Sequence, residues 1–95
     1  MKKKIGIFGS TGSIGKSTVE ILVKNKKDFD VIFLTTNIKV DLLYAQSIKL
    51  KPNSVIIFNK SKFLKYKKKF LQKKIKVFNS FKDLKKNIIK SKIDY

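Results

Sequence analysis

The chain has no cysteine, no histidine and no tryptophan, and every one of its 24 basic residues is lysine. Disulfides, thiolate nucleophiles, imidazole general bases and zinc sites built on nitrogen or sulfur ligands are therefore excluded. Any catalysis would have to rest on lysine, tyrosine or the six carboxylates. Long apolar runs are also missing: the longest, such as residues 31–34, are strand-sized, far below the roughly 18–20 residues that cross a bilayer. The basic segment at residues 1–4 resembles the start of a signal peptide, but Gly9, Gly12 and the hydroxyl residues around them interrupt the apolar stretch that should follow. The chain reads as cytoplasmic, with no membrane partner.

What remains is core-forming. Of the 95 residues, 42% are hydrophobic and 12% aromatic, enough for one small domain and too few residues for a two-domain enzyme. The net charge of +18 is concentrated toward the end, where residues 60–95 hold fourteen lysines against Asp83 and Asp94. Nucleic-acid binders usually rely on arginine for bidentate phosphate and guanine contacts, and arginine is absent. A solvated lysine surface is the stronger reading of the clusters at residues 67–69 and 73–74. A Lys-rich nucleic-acid or polyanion binding module stands as the alternative, and salt-sensitive anion binding is expected either way.

Hydrophobic period divides the chain into alternating units. Residues 4–8 form a first strand stopping at Gly9, and Ile14, Thr18, Ile21 and Leu22 mark the buried stripe of a helix ending near Asn25. Residues 31–34 form a second strand, and Val40, Leu43, Ala45 and Ile48 suggest a following helix, stopped by Lys51 and Pro52. Residues 55–58 form a third strand, with Ser61 capping a helix that carries Phe63, Tyr66, Phe70 and Leu71. Residues 75–78 form a fourth, with Ser80 as N-cap, Asp83 three residues on, and Phe81, Leu84 and Ile88 inward. Residues 92–95 begin another strand. This alternation predicts an α/β fold: a Rossmann-like, doubly wound parallel sheet of about four strands, covered on both faces and incomplete at the C-terminus. Its binding crevice lies at the carboxyl ends of the strands.

Gly9-Ser10-Thr11-Gly12-Ser13-Ile14-Gly15 falls between the first strand and first helix, where a dinucleotide fold places its phosphate turn. Gly9 suits the tight exit from the strand, Gly12 the approach of a diphosphate, and Gly15 the close packing of the helix. Free amides at the helix start would face the anion, with hydroxyls of Ser10, Thr11 and Ser13 beside them. A P-loop is the competing reading, since Gly15-Lys16-Ser17 matches its ending. It requires glycine five residues before Gly15, where Ser10 stands. A short-chain dehydrogenase would need lysine four residues after a tyrosine, whereas Tyr44 is followed at that distance by Ile48 and Tyr66 by Phe70. After the second strand no carboxylate occurs before Asp41, which removes repulsion toward a ribose 2′-phosphate. Lys39 adds attraction, and Thr35, Thr36 and Asn37 would donate hydrogen bonds, so NADP(H) is favoured over NAD(H).

The glycine heptapeptide, followed by Ser17 and Thr18, closely resembles the NADPH-binding start of the 1-deoxy-D-xylulose 5-phosphate reductoisomerase family. The likeness continues through Phe29, residues 31–34, Lys51, Pro52, Ile93, Asp94 and Tyr95. The resemblance implies an isoprenoid-pathway oxidoreductase that rearranges its sugar phosphate and reduces the resulting aldehyde with NADPH, giving 2-C-methyl-D-erythritol 4-phosphate, assisted by Mg or Mn. By motif, Thr11, Gly12, Ser13 and Ile14 would contact the cofactor phosphates and adjoining ribose, and Asn37, Ile38 and Lys39 the 2′-phosphate. The family usually has a small residue, a basic residue and Asn at the latter positions, so the basic charge here is displaced by one. The resemblance also implies that residues 1–95 are a truncated NADPH-binding domain without the catalytic and C-terminal domains. Metal ligands, sugar-phosphate contacts and the family-type homodimer would belong to the missing part, and the isolated chain would be catalytically incompetent. A free-standing dinucleotide-binding stub is the remaining reading.

Overall fold

Four short runs rich in β-branched residues alternate with four helical segments. The computed structural model, which describes residues 2–88, orders them as β1 (Lys3–Ile7), α1 (Ser13–Lys24), β2 (Phe29–Thr36), α2 (Val40–Leu50), β3 (Ser54–Ile57), α3 (Lys60–Leu71), β4 (Lys76–Phe78) and α4 (Phe81–Ile88). The strand expected at residues 92–95 and the burial of Ile88 lie outside the described residues. All strands pair in parallel, in the order β1-β2-β3-β4. Each crossover steps in the same direction, and connections of one hand then deliver successive helices to one face. Val19 and Leu22 of α1, Val40 and Leu43 of α2, and Phe70 of α3 accordingly pack in one core with Ile5, Ile7, Val31, Leu34, Val55 and Ile57. Helix α4 goes to the other face, where Leu84 joins Ile32, Phe33 and Ile56. The sheet is covered on both faces as expected, but unequally, and the change of side at α4 is the step by which a doubly wound sheet reverses.

Strand β2 breaks strict alternation. The β1–β2 register slips between Ile5 and Gly6, which pair with Val31 and Phe33, so Ile32 is the extra residue of a bulge. Ile32 and Phe33 therefore share one face while Val31 and Leu34 share the other. The slip seats the Phe33 ring on Gly6, where a Cβ would lie 2.1 Å from the ring edge. Phe33 also meets the exposed Phe8 ring edge-on at 5.0 Å, and Phe8 meets Phe81 at 5.1 Å, joining the loop after β1 to the start of α4.

Several helix faces differ from expectation. In α1 the buried residues are Gly15, Val19 and Leu22, whereas Ile14 and Ile21 are exposed. In α2 they are Val40, Leu43, Gln46 and Ser47, with Ala45 and Ile48 outside. Two polar residues thus occupy the inward stripe, each satisfied by hydrogen bonds: Ser47 Oγ donates to the Leu43 carbonyl at 2.8 Å, and Gln46 is bonded as described below. Leu71 is exposed while its neighbour Phe70 is fully buried. Helix α2 ends ahead of Pro52 as expected, with Lys51 taking the left-handed conformation at φ 49°.

The cap of α3 also moves. Asn59, not Ser61, precedes the helix, and its Oδ1 accepts from the Lys62 amide at 3.0 Å. Ser61 already lies inside the first turn, where its hydroxyl cannot serve as the flanking acceptor. The cap expected at Ser80 is present, with its Oγ accepting from the Asp83 amide at 3.3 Å. Asn59→Ala should lower stability by about 1 kcal/mol, read as a shifted urea midpoint at unchanged slope. Ser61→Ala should leave the midpoint in place, and equal shifts would contradict the assignment.

Candidate functional site

At the carboxyl end of β1 the chain must reverse into α1 within a few residues. Gly9 does so at φ 64°, a region that residues with a Cβ rarely enter, and its carbonyl accepts from the Gly12 amide at 2.9 Å. Gly12 is the N-cap of α1, and the first intrahelical bond runs from the Lys16 amide to the Gly12 carbonyl at 2.8 Å. The amides of Ser13, Ile14 and Gly15 precede that bond and have no partner among the described residues, and neither has the amide of Thr11. No carboxylate stands in the first turn and no side chain caps it. The positive end of the helix dipole is left for an outside anion. Beside it lies a cleft of 590 Å³ along β1, lined by Gly6, Phe8, Gly12, Ile14 and Thr18 among others. Its walls include exposed apolar surface, with Ile14 85% and Phe8 58% accessible.

The inner side of the loop is polar and fully paired. The Gly9 amide donates to Thr35 Oγ1 at 2.6 Å and the Ser10 amide to the Thr35 carbonyl at 3.1 Å. Ser10 is completely buried, its hydroxyl donating to Gln46 Oε1 at 2.8 Å while Gln46 Nε2 donates to the Ser10 carbonyl at 2.8 Å. The hydroxyls of Thr11 and Thr36 share a hydrogen bond of 2.7 Å, and Thr36 Oγ1 also accepts from the Lys39 amide at 3.1 Å.

These contacts correct two expectations. Ser10 and Thr11 do not offer hydroxyls to a ligand, and Thr35 and Thr36 do not reach toward a 2′-phosphate. The loop crosses over the ends of β1 and β2, so all four hydroxyls are enclosed and must pair within the chain. Of the loop hydroxyls only that of Ser13 is exposed and without a bond among the described residues.

After β2, Asn37, Ile38 and Lys39 are all exposed. Lys39 stands at the N-cap of α2 with its side chain making no cap bond, and the Asn37 carbonyl accepts from the Asn59 amide at 3.2 Å. The structure therefore brings the glycine loop and residues 37–39 to the same edge, joined through Thr36. Sequence reasoning missed Gln46, whose only trace is a polar residue at the i+3 position from Leu43.

The family profile of 1-deoxy-D-xylulose 5-phosphate reductoisomerase matches residues 5–95. The chain belongs to this family. The reductoisomerase of Phocaeicola vulgatus is 40% identical over 78 residues, covering 82% of this chain and 20% of that protein. That of Pelagibacter ubique is 40% identical over 94 residues, covering 98% of the chain and 24% of its relative. The chain thus spans a fifth to a quarter of the length of these reductoisomerases. Among solved structures, the reductoisomerase of Zymomonas mobilis in complex with NADPH superposes with a TM-score of 0.78 at 24% identity, over 82% of this chain and 21% of that one. A reductoisomerase in complex with magnesium superposes with a TM-score of 0.80 at 21% identity, over 99% and 24%. At these identities the superpositions establish the Rossmann-like fold.

No group of three or more carboxylates is brought together among the described residues. Among those residues, too, no helix is long and apolar enough to cross a membrane.

Proposed function

We propose that this chain is the NADPH-binding portion of a 1-deoxy-D-xylulose 5-phosphate reductoisomerase, which forms 2-C-methyl-D-erythritol 4-phosphate in the cytoplasm. The observation that carries the reading is the row of amides at Thr11, Ser13, Ile14 and Gly15 that have no partner among the described residues. They stand at a helix N-terminus without a carboxylate, which suits a diphosphate. Gly9 and Gly15 shape the loop, Gly12 keeps its outer side low, and Ser10 anchors it from within. Asn37 and Lys39, exposed and flanked by Ile38, would hold the 2′-phosphate. NADPH, once bound, supplies the hydride for carbonyl reduction; the chain's own residues bind and orient it. No described residue is proposed to hold the metal or the sugar phosphate, or to form the family-type dimer. The chain alone is expected to give no turnover with 1-deoxy-D-xylulose 5-phosphate.

Isothermal titration of the folded chain tests this. NADPH should bind, and NADH should bind at least about tenfold more weakly, the worth of one charge-assisted contact. Lys39→Ala should narrow that gap by weakening NADPH while leaving NADH unchanged. Binding of neither nucleotide would remove the assignment.

A further inference from the structure

Gln46 is only 5% exposed, on the inner face of α2, yet both ends of its amide are used on one residue, Ser10. An apolar side chain of the same size would fill that space without the cost of desolvating an amide, so the packing alone does not call for glutamine. What glutamine adds is direction. No peptide bond in the described residues is cis, and in a trans peptide the carbonyl of one residue and the N–H of the next point opposite ways. Gln46 Nε2 draws the Ser10 carbonyl inward beneath α2, which turns the Thr11 N–H outward. That N–H has no partner among the described residues. The preceding peptide is fixed as well, since the Ser10 amide donates to the Thr35 carbonyl.

We infer that Gln46 is a positioning residue that aims the Thr11 amide at the cofactor diphosphate. The inference rests on the NADPH reading above and adds to it a residue that touches no ligand. Gln46→Met removes both bonds at nearly constant volume. Its affinity for NADPH should fall about tenfold, as expected for one hydrogen bond to a charged group. Affinity for 2′-AMP, which carries the 2′-phosphate but no diphosphate, should be unchanged. Unaltered NADPH binding by the variant would overturn the inference, and so would equal losses for both ligands, which mark general loosening. A measurement on the wild-type chain stands independently of whether the variant folds. In ¹⁵N-labelled protein saturated with NADPH, the Thr11 amide proton should move downfield, and a stationary Thr11 signal beside shifted Ser13 to Gly15 signals would refute the role. Failure of the wild-type chain to bind NADPH at all is read in the control titration, and removes the cofactor assignment together with the inference.

Discussion

Gly15→Ala is expected to abolish measurable NADPH binding and to lower stability by roughly 2 kcal/mol, the usual range for overpacking. A Cβ at Gly15 would lie 2.2 Å from the Gly9 carbonyl oxygen and 2.6 Å from Ser10 Cα. Both are backbone atoms, so no side chain can swing aside. The loop cannot retreat either, because the Ser10 amide is tied to Thr35 and its carbonyl to Gln46. The helix start and the loop must separate, and the unpartnered amides lose their common aim. A displacement of this size costs far more in ligand affinity than in stability. Gly12→Ala supplies the contrast: its Cβ would make an ordinary contact of 3.4 Å with the Gly9 oxygen, at a φ of −80°. That variant should lose much less stability than Gly15→Ala, only the small preference of an N-cap for glycine over alanine, yet bind NADPH weakly, since its methyl would stand where the diphosphate is proposed to approach. Thermal unfolding and titration of both variants decide the matter. Wild-type affinity in Gly15→Ala would mean that the loop does not hold the cofactor.

The backbone plan was legible because period and punctuation are local. Runs such as residues 55–58 read as strands, which the structure begins one residue earlier at Ser54, while Pro52 marks a helix end and the glycines mark the turn. Which face each helix buries was less legible. Ile14 and Ile21 satisfy an apolar stripe as well as Val19 and Leu22 do, and only the position of Gly15 against the loop backbone rotates α1 the right way. The polar network beneath the glycine loop was hidden for a different reason. Hydropathy assigns Ser10, Thr35, Thr36 and Gln46 to the surface, and their burial is possible only because each finds its complement across 25 to 36 residues of sequence. The lysine excess was ambiguous in composition and is less so in structure. Lys69 places its ammonium 4.2 Å from the centroid of Tyr44, and Lys62, Lys65 and Lys67 lie within 6.0 Å of Tyr66 or Phe63. Several lysines of α3 therefore spread their stems over aromatic surface, a role that requires no polyanion.

Phe70→Ala is expected to destabilise the chain by about 3–5 kcal/mol. Phe70 is fully buried at the heart of the larger core, and its ring meets Tyr44 edge-on at 5.3 Å, joining α3 to α2. A domain of this size has on the order of 5–15 kcal/mol in all, so the variant should melt about 20 °C lower and be partly unfolded at room temperature. Leu71→Ala, at the adjacent and half-exposed position, should fall within about 0.5 kcal/mol of the wild type. Equal effects would show that α3 is rotated from the orientation described. The two sites of damage should also respond differently to ligand. Phe70 meets Tyr44 and the apolar core, whereas the glycine loop is held by Thr35, Thr36 and Gln46. Folded Phe70→Ala molecules should therefore bind NADPH normally, and saturating NADPH should raise their melting temperature by mass action. Gly15→Ala should show no such rise, because its lesion lies in the loop that the cofactor would have to engage.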